Sequence, residues 1–129
     1  METGIVVRDL EVTTRFYRDG LGLAHIRDEV TPFGLLRRFK CGNAGIKLMK
    51  LDEPPNESNP GGGLGAAVTG LRWISIPVDD IEEVLKRCEE TGARIVQPIY
   101  EWSPTVKLMT VEDPEGNCWI EVAQIDGEY

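Results

Sequence analysis

Few residues in this chain are suited to nucleophilic catalysis or metal binding. There is one histidine, His25, and there are three cysteines, Cys41, Cys88 and Cys118, which are far apart and share no CxxC spacing. A single histidine suggests no Ser/His/Asp arrangement, and an odd number of separated cysteines argues against a disulfide framework or a zinc knuckle. The glycine-rich run at 61–65 lacks the lysine and the preceding strand of a phosphate-binding loop, so we interpret it as a hinge or lid.

Charge and hydropathy narrow the classes of partner. Twenty-two acidic residues against fourteen basic ones give a formal net charge of −8, which would repel nucleic-acid phosphates and anionic membrane surfaces. No stretch approaches the run of about 20 apolar residues that a membrane helix needs, and the opening METGIVV has no basic segment followed by an apolar one. This predicts a cytoplasmic protein with no nucleic-acid or membrane partner. The acid surplus mildly favours cationic ligands, or it is only a solvated surface that keeps the protein soluble.

The first part of the chain has the pattern of a strand, a helix and three further strands. Asp9 is placed to cap a helix that starts near Leu10, and Gly20 is placed to end it in the left-handed conformation. Short apolar and β-branched runs separated by glycine and proline turns predict the strands. These strands are expected at 5–7, 21–29, 35–41 and 46–51.

The same order of elements restarts after a stretch rich in glycine and proline. A second helix is predicted to open at Asp79 or Asp80, with Glu83 placed for a capping box, and to stop at Gly92. The strands of this half are expected at 72–78, 93–98, 105–111 and 117–124.

An offset of 71 residues relates the two halves, because it takes Val7 to Val78 and Asp9 to Asp80 without a gap. A duplicated βαβββ module is the economical interpretation. Since one such module cannot cover its sheet alone, the pair predicts an α+β fold with a cupped, mostly antiparallel mixed sheet, helices outside and a cavity inside. We expect a single domain over 1–129. It is divided into module one at 1–52, a flexible Gly/Pro linker at 53–70 and module two at 71–125.

Three strings carry a specific resemblance to a known superfamily. They are GIVVRDLEVTTRFYRDGLGL at 4–23, ISIPVDDIEEVLKRCEETGA at 74–93 and VEDPEGNCWIEV at 111–122. In this order and at this separation, they resemble the opening strand and helix, the second strand and helix, and the closing hairpin of the vicinal-oxygen-chelate proteins. That superfamily includes glyoxalases, bleomycin-resistance proteins and extradiol dioxygenases. The resemblance covers nearly the whole chain except the linker, and it implies the fold expected from the repeat.

The resemblance also implies where a metal site would lie, on one inward-facing side chain from the first and last strands of each module. Glu2 stands at the first position and is a candidate metal ligand. Trp73 stands at the equivalent position of module two, where indole has no lone pair for a metal; it is either an aromatic wall for a ligand or a core residue. Module one should supply a glutamate near Met49 or Lys50, and a lysine repels a metal.

The fourth position falls on Glu121, which the offset of 71 places opposite Lys50. In family members the glutamate commonly follows the asparagine of DPxGN by three residues, whereas Glu121 follows Asn117 by four. A one-residue shift turns a side chain to the other face of a strand unless a bulge restores it. His25 falls outside all four positions and is expected to line the cup or lie on the surface. The metal site therefore looks incomplete, with Glu2 and Glu121 as its remaining ligands.

Two classes of function are consistent with these residues. One is binding of an aromatic or cationic small organic molecule in the cup without a complete metal site. The other is a lyase, isomerase or dioxygenase that uses a divalent metal on Glu2 and Glu121. A third, metal-free reaction would use Glu121 or Lys50 as acid or base. A homodimer is expected by analogy with the superfamily, with the cup formed either within one chain or across two. The residues predicted to bind the ligand are Lys50, Trp73, Tyr100, Trp102 and Glu121.

Overall fold

Each half of the chain folds into a four-stranded sheet with a helical segment packed on one side. The structure is a computed structural model that describes residues 1–127. Module one contains β1 (Glu2–Val6), α1 (Leu10–Thr14) continued by a π-helical segment (Arg15–Gly20), β2 (Ala24–Val30), β3 (Gly34–Cys41) and β4 (Ala44–Leu51). Module two contains β5 (Trp73–Pro77), α2 (Ile81–Glu90), β6 (Arg94–Ser103), β7 (Val106–Glu112) and β8 (Trp119–Ile125). The α+β fold with two βαβββ modules is confirmed.

Both sheets have the same strand order, β1-β4-β3-β2 in module one and β5-β8-β7-β6 in module two. The first and last strands of each module pair in parallel, and the other pairs are antiparallel. Within residues 1–127 the two sheets are separate hydrogen-bonded units, so the cup is assembled from two sheets and not from one continuous sheet. No helix in this part of the chain combines the length and apolar character needed to cross a membrane.

The helix starts follow the sequence, whereas the end of the first helix does not. Asp9 accepts a hydrogen bond from the Val12 backbone N–H at 3.0 Å, and Asp80 accepts one from the Glu83 N–H at 3.1 Å, so both N-caps are confirmed. Gly92 has a φ of +80°, the left-handed conformation expected after α2. The prediction of a left-handed Gly20 is wrong, because the π-helical segment carries the helix through residue 20 and the positive φ falls at 22.

Gly20 has a different reason to be glycine, which is the contact between the two helical segments. A Cβ atom at this position would lie 2.8 Å from the Thr91 hydroxyl oxygen and 3.6 Å from the Cys88 sulfur. The Arg87 guanidinium donates to the Gly20 carbonyl at 3.2 Å across the same contact. The helical segments of the two modules therefore pack against each other at close range.

The two modules share one apolar core on the helix side of both sheets. Its buried members come from both halves of the chain, including Val7, Phe16, Leu48, Ile81, Met109 and Ile120. A buried polar contact also links the modules, because the Tyr17 hydroxyl donates to Asp113 at 3.0 Å. Burial raises the pKa of Asp113, although hydrogen bonds from the Asn117 N–H and from Tyr17 oppose this effect.

The segment between the modules is held against module two at its middle. The Gly62 N–H donates to the Glu112 carboxylate at 2.7 Å, and the Asn59 side-chain amide donates to the Asn117 carbonyl at 3.4 Å. Gly63 begins a single 3₁₀ turn and lies so close to the Trp119 ring that a Cβ atom would come within 2.1 Å of it. Apart from this turn the segment has no regular element, as its glycine and proline content predicts.

Candidate functional site

Each sheet has a helix face, which packs on the shared core, and an opposite open face. Side chains alternate along a strand, so the strand registers assign each residue to one face. The open face of module one carries Glu2, Gly4, Val6, Leu36, Arg38, Lys40, Gly45, Lys47 and Met49. The open face of module two carries Trp73, Ser75, Pro77, Leu108, Thr110, Glu112, Trp119, Glu121 and Ala123. Residues of both open faces line one cavity, Gly4 and Gly45 from module one and Trp73 and Ser75 from module two.

The strand registers correct the sequence equivalence between the two closing strands. Gly4 is opposite Lys47 in module one, and Ser75, its counterpart, is opposite Glu121 in module two. The counterpart of Glu121 is therefore Lys47, and the assignment to Lys50 is wrong. The reason is that the offset of 71 grows along the chain. It is 72 between Arg38 and Thr110 in the adjoining strands, and it becomes 74 because the turn between β7 and β8 is two residues longer than the turn between β3 and β4. Lys50 alternates to the helix face, where it is exposed.

The Glu2 carboxylate is engaged by two cations of its own sheet. One oxygen accepts from the Arg38 guanidinium at 3.0 Å, and the other is in close contact with the Lys47 ammonium. The Lys47 hydrogen bond and the charge of Arg38 outweigh desolvation and lower the pKa of Glu2. Arg38 also donates to Glu29 at 2.5 Å, and Arg27 donates to the same carboxylate at 2.9 Å. These contacts form a continuous ion-pair network on the open face of module one.

Glu121 lies on the open face of module two despite its shift in sequence. The Ser75 hydroxyl donates to Glu121 at 2.9 Å, which places the carboxylate beside the first strand of its module. The turn before β8 is ordered by Asp113, whose carboxylate accepts from the backbone N–H groups of Glu115 and Asn117, each at 2.9 Å. The additional residue is taken up in this turn, and β8 enters the sheet with Glu121 on the same face as Trp73.

An aromatic pair occupies the open face of module two. Trp73 is opposite Trp119 in the parallel pairing of β5 and β8, and Trp73 is 47% exposed. Trp119 is partly buried, and its indole N–H donates to Glu112 at 3.0 Å. The sequence reasoning missed Trp119. Its position two residues before Glu121 in a closing strand, with the same facing, is the signal that could have identified it.

The remaining predicted residues lie farther out. Tyr100 is opposite Leu108 and therefore on the open face, and Trp102 lies in an irregularity of the β6–β7 pairing; they are 39% and 62% exposed. His25 donates to or accepts from Asp28 at 2.8 Å at the outer strand of module one, away from the four expected metal positions. The Arg37 guanidinium, followed by His25, lowers the pKa of Asp28 to about 2.

The four strand positions implied for a metal hold Glu2, Lys47, Trp73 and Glu121. Lys47 is a cation, Trp73 has no lone pair to donate, and Glu2 is engaged by Lys47 and Arg38. Within residues 1–127 no three histidine, cysteine, aspartate or glutamate side chains are grouped so that they could hold a metal ion. The residues present therefore do not fit a divalent cation at this place.

Two cavities share lining residues, one at the junction of the modules and one on module one. The first, of about 700 Å³, is lined by Gly4 and Gly45 on the side of module one and by Leu71, Trp73 and Ser75 on the side of module two. The second, of about 540 Å³, lies over the open face of module one and contains Arg27, Arg38, Lys40 and Lys47 in its lining. Glu2 and Gly45 line both cavities, so the aromatic and cationic regions are continuous. Both volumes are within the usual range for small-molecule sites.

Comparison with known proteins agrees with this architecture. The family model described as the Glyoxalase/Bleomycin resistance protein/Dioxygenase superfamily matches residues 2–121, and the chain belongs to this superfamily. A comparison with curated proteins gave no match. Among solved structures, the chain is similar to a glyoxalase family protein from Bacillus cereus with a TM-score of 0.79 and 20% identity, covering 98% of this chain and 93% of that one.

Two further solved structures give the same result. A glyoxylase/bleomycin resistance protein/dioxygenase domain from Frankia sp. EAN1pec is similar with a TM-score of 0.74 and 19% identity, covering 96% of this chain and 94% of that one. A glyoxalase family protein from Enterococcus faecalis is similar with a TM-score of 0.64 and 25% identity, covering 95% and 94%. At these identities the likenesses establish the fold, and the function has to be argued from the site.

Proposed function

We propose that this protein binds a small organic molecule with an aromatic part on the open faces of its sheets, without a divalent metal as a fixed component. The observation that carries the proposal is the half-exposed Trp73 at the wall of a cavity of about 700 Å³. A large apolar side chain left exposed in a concave surface gains free energy when a planar ligand covers it. Tyr100 and Trp102 are proposed to contact the outer part of the same ligand.

Metal-dependent catalysis is the weaker candidate, because it would need ligands that the four positions do not supply. Glu2 and Glu121 are the two carboxylates there, and recruiting Glu2 would break its ion pairs with Lys47 and Arg38. Acid or base chemistry by Glu121 remains a further proposal, supported by its hydrogen bond with Ser75 on the cavity side of the sheet.

We also propose that the protein is a homodimer in the cytoplasm. Exposed apolar side chains lie on strand edges and next to the cup, among them Ile26 at 50%, Leu71 at 64% and Trp102 at 62%. Covering such residues with a second copy would remove apolar surface from water. Sedimentation equilibrium of the full chain tests this, and a single species with the mass of one chain of 14.4 kDa at all concentrations would contradict it.

The ligand proposal is tested by isothermal titration calorimetry with 2-naphthol, a neutral aromatic probe. Saturable binding is expected, and Trp73→Ala should weaken it by about tenfold, because stacking on the indole contributes about 1.4 kcal/mol. Phe33→Ala is the matched control, since Phe33 is 71% exposed in the turn between β2 and β3 and lines neither cavity. Absence of binding, or equal binding by the Trp73 variant, would overturn the proposal.

A further inference from the structure

The open face of module one has a local charge opposite to that of the whole protein. The chain carries a net charge of −8, yet four basic side chains line the cavity of about 540 Å³ there, together with one acidic side chain. We call these four residues, Arg27, Arg38, Lys40 and Lys47, the cationic cluster. Glu29 is the second acid in contact with it, so four positive charges face two negative ones. An excess of two positive charges in a concave site attracts anions, even on an acidic protein.

The cluster keeps hydrogen-bond donors that its own acids do not use. Arg38 donates through Nε to Glu29 and through Nη1 to Glu2. Within residues 1–127 its second terminal nitrogen has no hydrogen-bond partner, and the Lys40 ammonium has no ion-pair partner. Lys47 is in contact with one oxygen of Glu2, although an ammonium group offers three donors. A planar carboxylate suits these remaining donors, because guanidinium groups bind carboxylates through parallel N–H bonds.

The network also holds the donors in place before any ligand arrives. The Arg38 and Lys47 side chains are only 23% and 28% exposed, and the Glu2 carboxylate lies between them. Arg38 is fixed a second time by Glu29 on the neighbouring strand. Preorganised charges lose little conformational entropy when they bind an anion, so their affinity is higher than that of free surface lysines.

We propose that the cationic cluster binds the carboxylate of the ligand whose aromatic part covers Trp73, so that the preferred ligand class is aromatic carboxylic acids. This inference rests on the proposed function above. The geometry that carries it is the continuity of the two cavities through Glu2 and Gly45, which places the cluster beside the cavity lined by Trp73. In this arrangement the positive charge at one of the four strand positions belongs to a side chain of the protein, Lys47, which is the counterpart of Glu121.

The test compares 2-naphthoate with its neutral analogue 2-naphthamide by titration calorimetry on the full chain. The wild type is expected to bind naphthoate about tenfold more tightly than naphthamide at low salt. This preference should decrease when NaCl rises from about 20 mM to about 300 mM, because salt screens exposed charges. Lys47→Gln and Arg38→Gln should each weaken naphthoate binding by about fivefold to tenfold and leave naphthamide binding unchanged.

Three further variants separate charge from folding. Lys47→Arg should keep the preference for the anion. Glu2→Gln should strengthen naphthoate binding, because it removes a competing negative charge while the amide oxygen can still accept from Arg38 and hold it in place. Lys86→Gln is the control, since this exposed lysine lies on α2, outside both cavities. Thermal melting of each variant verifies that it is folded.

The outcomes distinguish this inference from the proposed function. Equal affinity for both probes in the wild type, or unchanged naphthoate binding in both Lys47→Gln and Arg38→Gln, would overturn the carboxylate site and leave aromatic binding in place. Naphthoate binding that depends on Lys47 but not on Trp73 would support the carboxylate site and overturn the aromatic wall. Failure of both probes to bind would overturn both proposals.

Discussion

The open faces of the two modules have the same strand order but are held together by different interactions. In module one, partly exposed acids and bases pair in a network through Glu2, Glu29 and Arg38. In module two, apolar residues pack around one nearly buried carboxylate, Glu112, which accepts from a backbone N–H, an indole and a guanidinium. The side chain of Glu2 is 50% exposed and that of Glu112 is 11% exposed.

The two kinds of interaction are expected to contribute differently to the stability of the fold and to ligand binding. Exposed ion pairs contribute little to folding because water and salt screen them, and the same exposure leaves their charges available to a ligand. A buried carboxylate with its hydrogen bonds satisfied is strongly coupled to the fold, since its partners lose their acceptor if it is removed. We therefore expect substitution of the charged residues in module one to affect ligand binding, and substitution of the buried Glu112 in module two to affect stability.

The largest effect is expected for Glu112→Ala. The substitution leaves the Gly62 N–H and the Trp119 indole N–H without their acceptor, and it should lower the free energy of unfolding by about 3 kcal/mol. Urea denaturation followed by circular dichroism measures this change. Glu101→Ala, on the exposed part of β6, is the control. A loss below about 1 kcal/mol would contradict the assigned role of the buried carboxylate.

Next in size is the contact between the linker and Trp119. Gly63→Ala would place a Cβ atom 2.1 Å from the indole ring at a φ of +46°, so the linker must move, at an expected cost of about 2 kcal/mol. Tryptophan fluorescence should report increased exposure of the ring to water. Gly65→Ala, two residues away, meets no atom within 4 Å and should leave both stability and fluorescence unchanged. Similar behaviour of the two variants would show that the linker is not fixed on Trp119.

Low pH should weaken the ion pairs of module one and so lower the stability of the fold. The pKa of Asp28 is lowered to about 2 by Arg37 and His25, so this carboxylate stabilises the fold above its unfolded pKa, and the contribution is lost as pH falls through about 2. After discounting for solvent screening, we expect a loss of about 1 kcal/mol between pH about 5 and about 2. Urea denaturation at several pH values measures it. Asp28→Asn should flatten this part of the pH dependence, and an unchanged slope would refute the assignment.

The smallest effect on stability is expected for Glu2→Gln in module one. Although Glu2 contacts both Lys47 and Arg38, its exposure should keep the change in the urea midpoint within experimental error. The same variant is expected to bind naphthoate more tightly, so one substitution separates the two properties. A large loss of stability would remove the distinction between the two open faces.

Much of the architecture could be predicted because its signals are local. Asp9 and Asp80 cap their helices, and Gly92 ends the second one, because each acts on backbone groups a few residues away. The end of the first helix was mispredicted, since its π-helical turn and the close contact of Gly20 with Thr91 depend on the second helix. The duplicated strand and helix were visible in the sequence because they have the same spacing in both modules.

The candidate site was only partly predictable. Glu2, Trp73 and Glu121 were identified from strings that resemble a known superfamily, whereas Lys47 and Trp119 were missed. Both missed residues depend on the register of the closing strands. The longer turn between β7 and β8, together with a change of one residue before it, shifted the equivalence of these strands by three residues. Counting along the chain could not detect this difference, because only the strand pairing shows how many residues belong to the turn.

The sequence by itself determined the two modules, their helix starts, the acidic surface and the loss of a histidine from the expected metal positions. These properties follow from local hydrogen bonding, from periodicity and from residue type. Only the tertiary structure decided which side chains share an open face, that Lys47 and Arg38 engage Glu2, and that the cationic cluster adjoins the cavity lined by Trp73. The physical reason is that a shift of one residue reverses the facing of a strand, and hydrogen bonds between distant segments select the register.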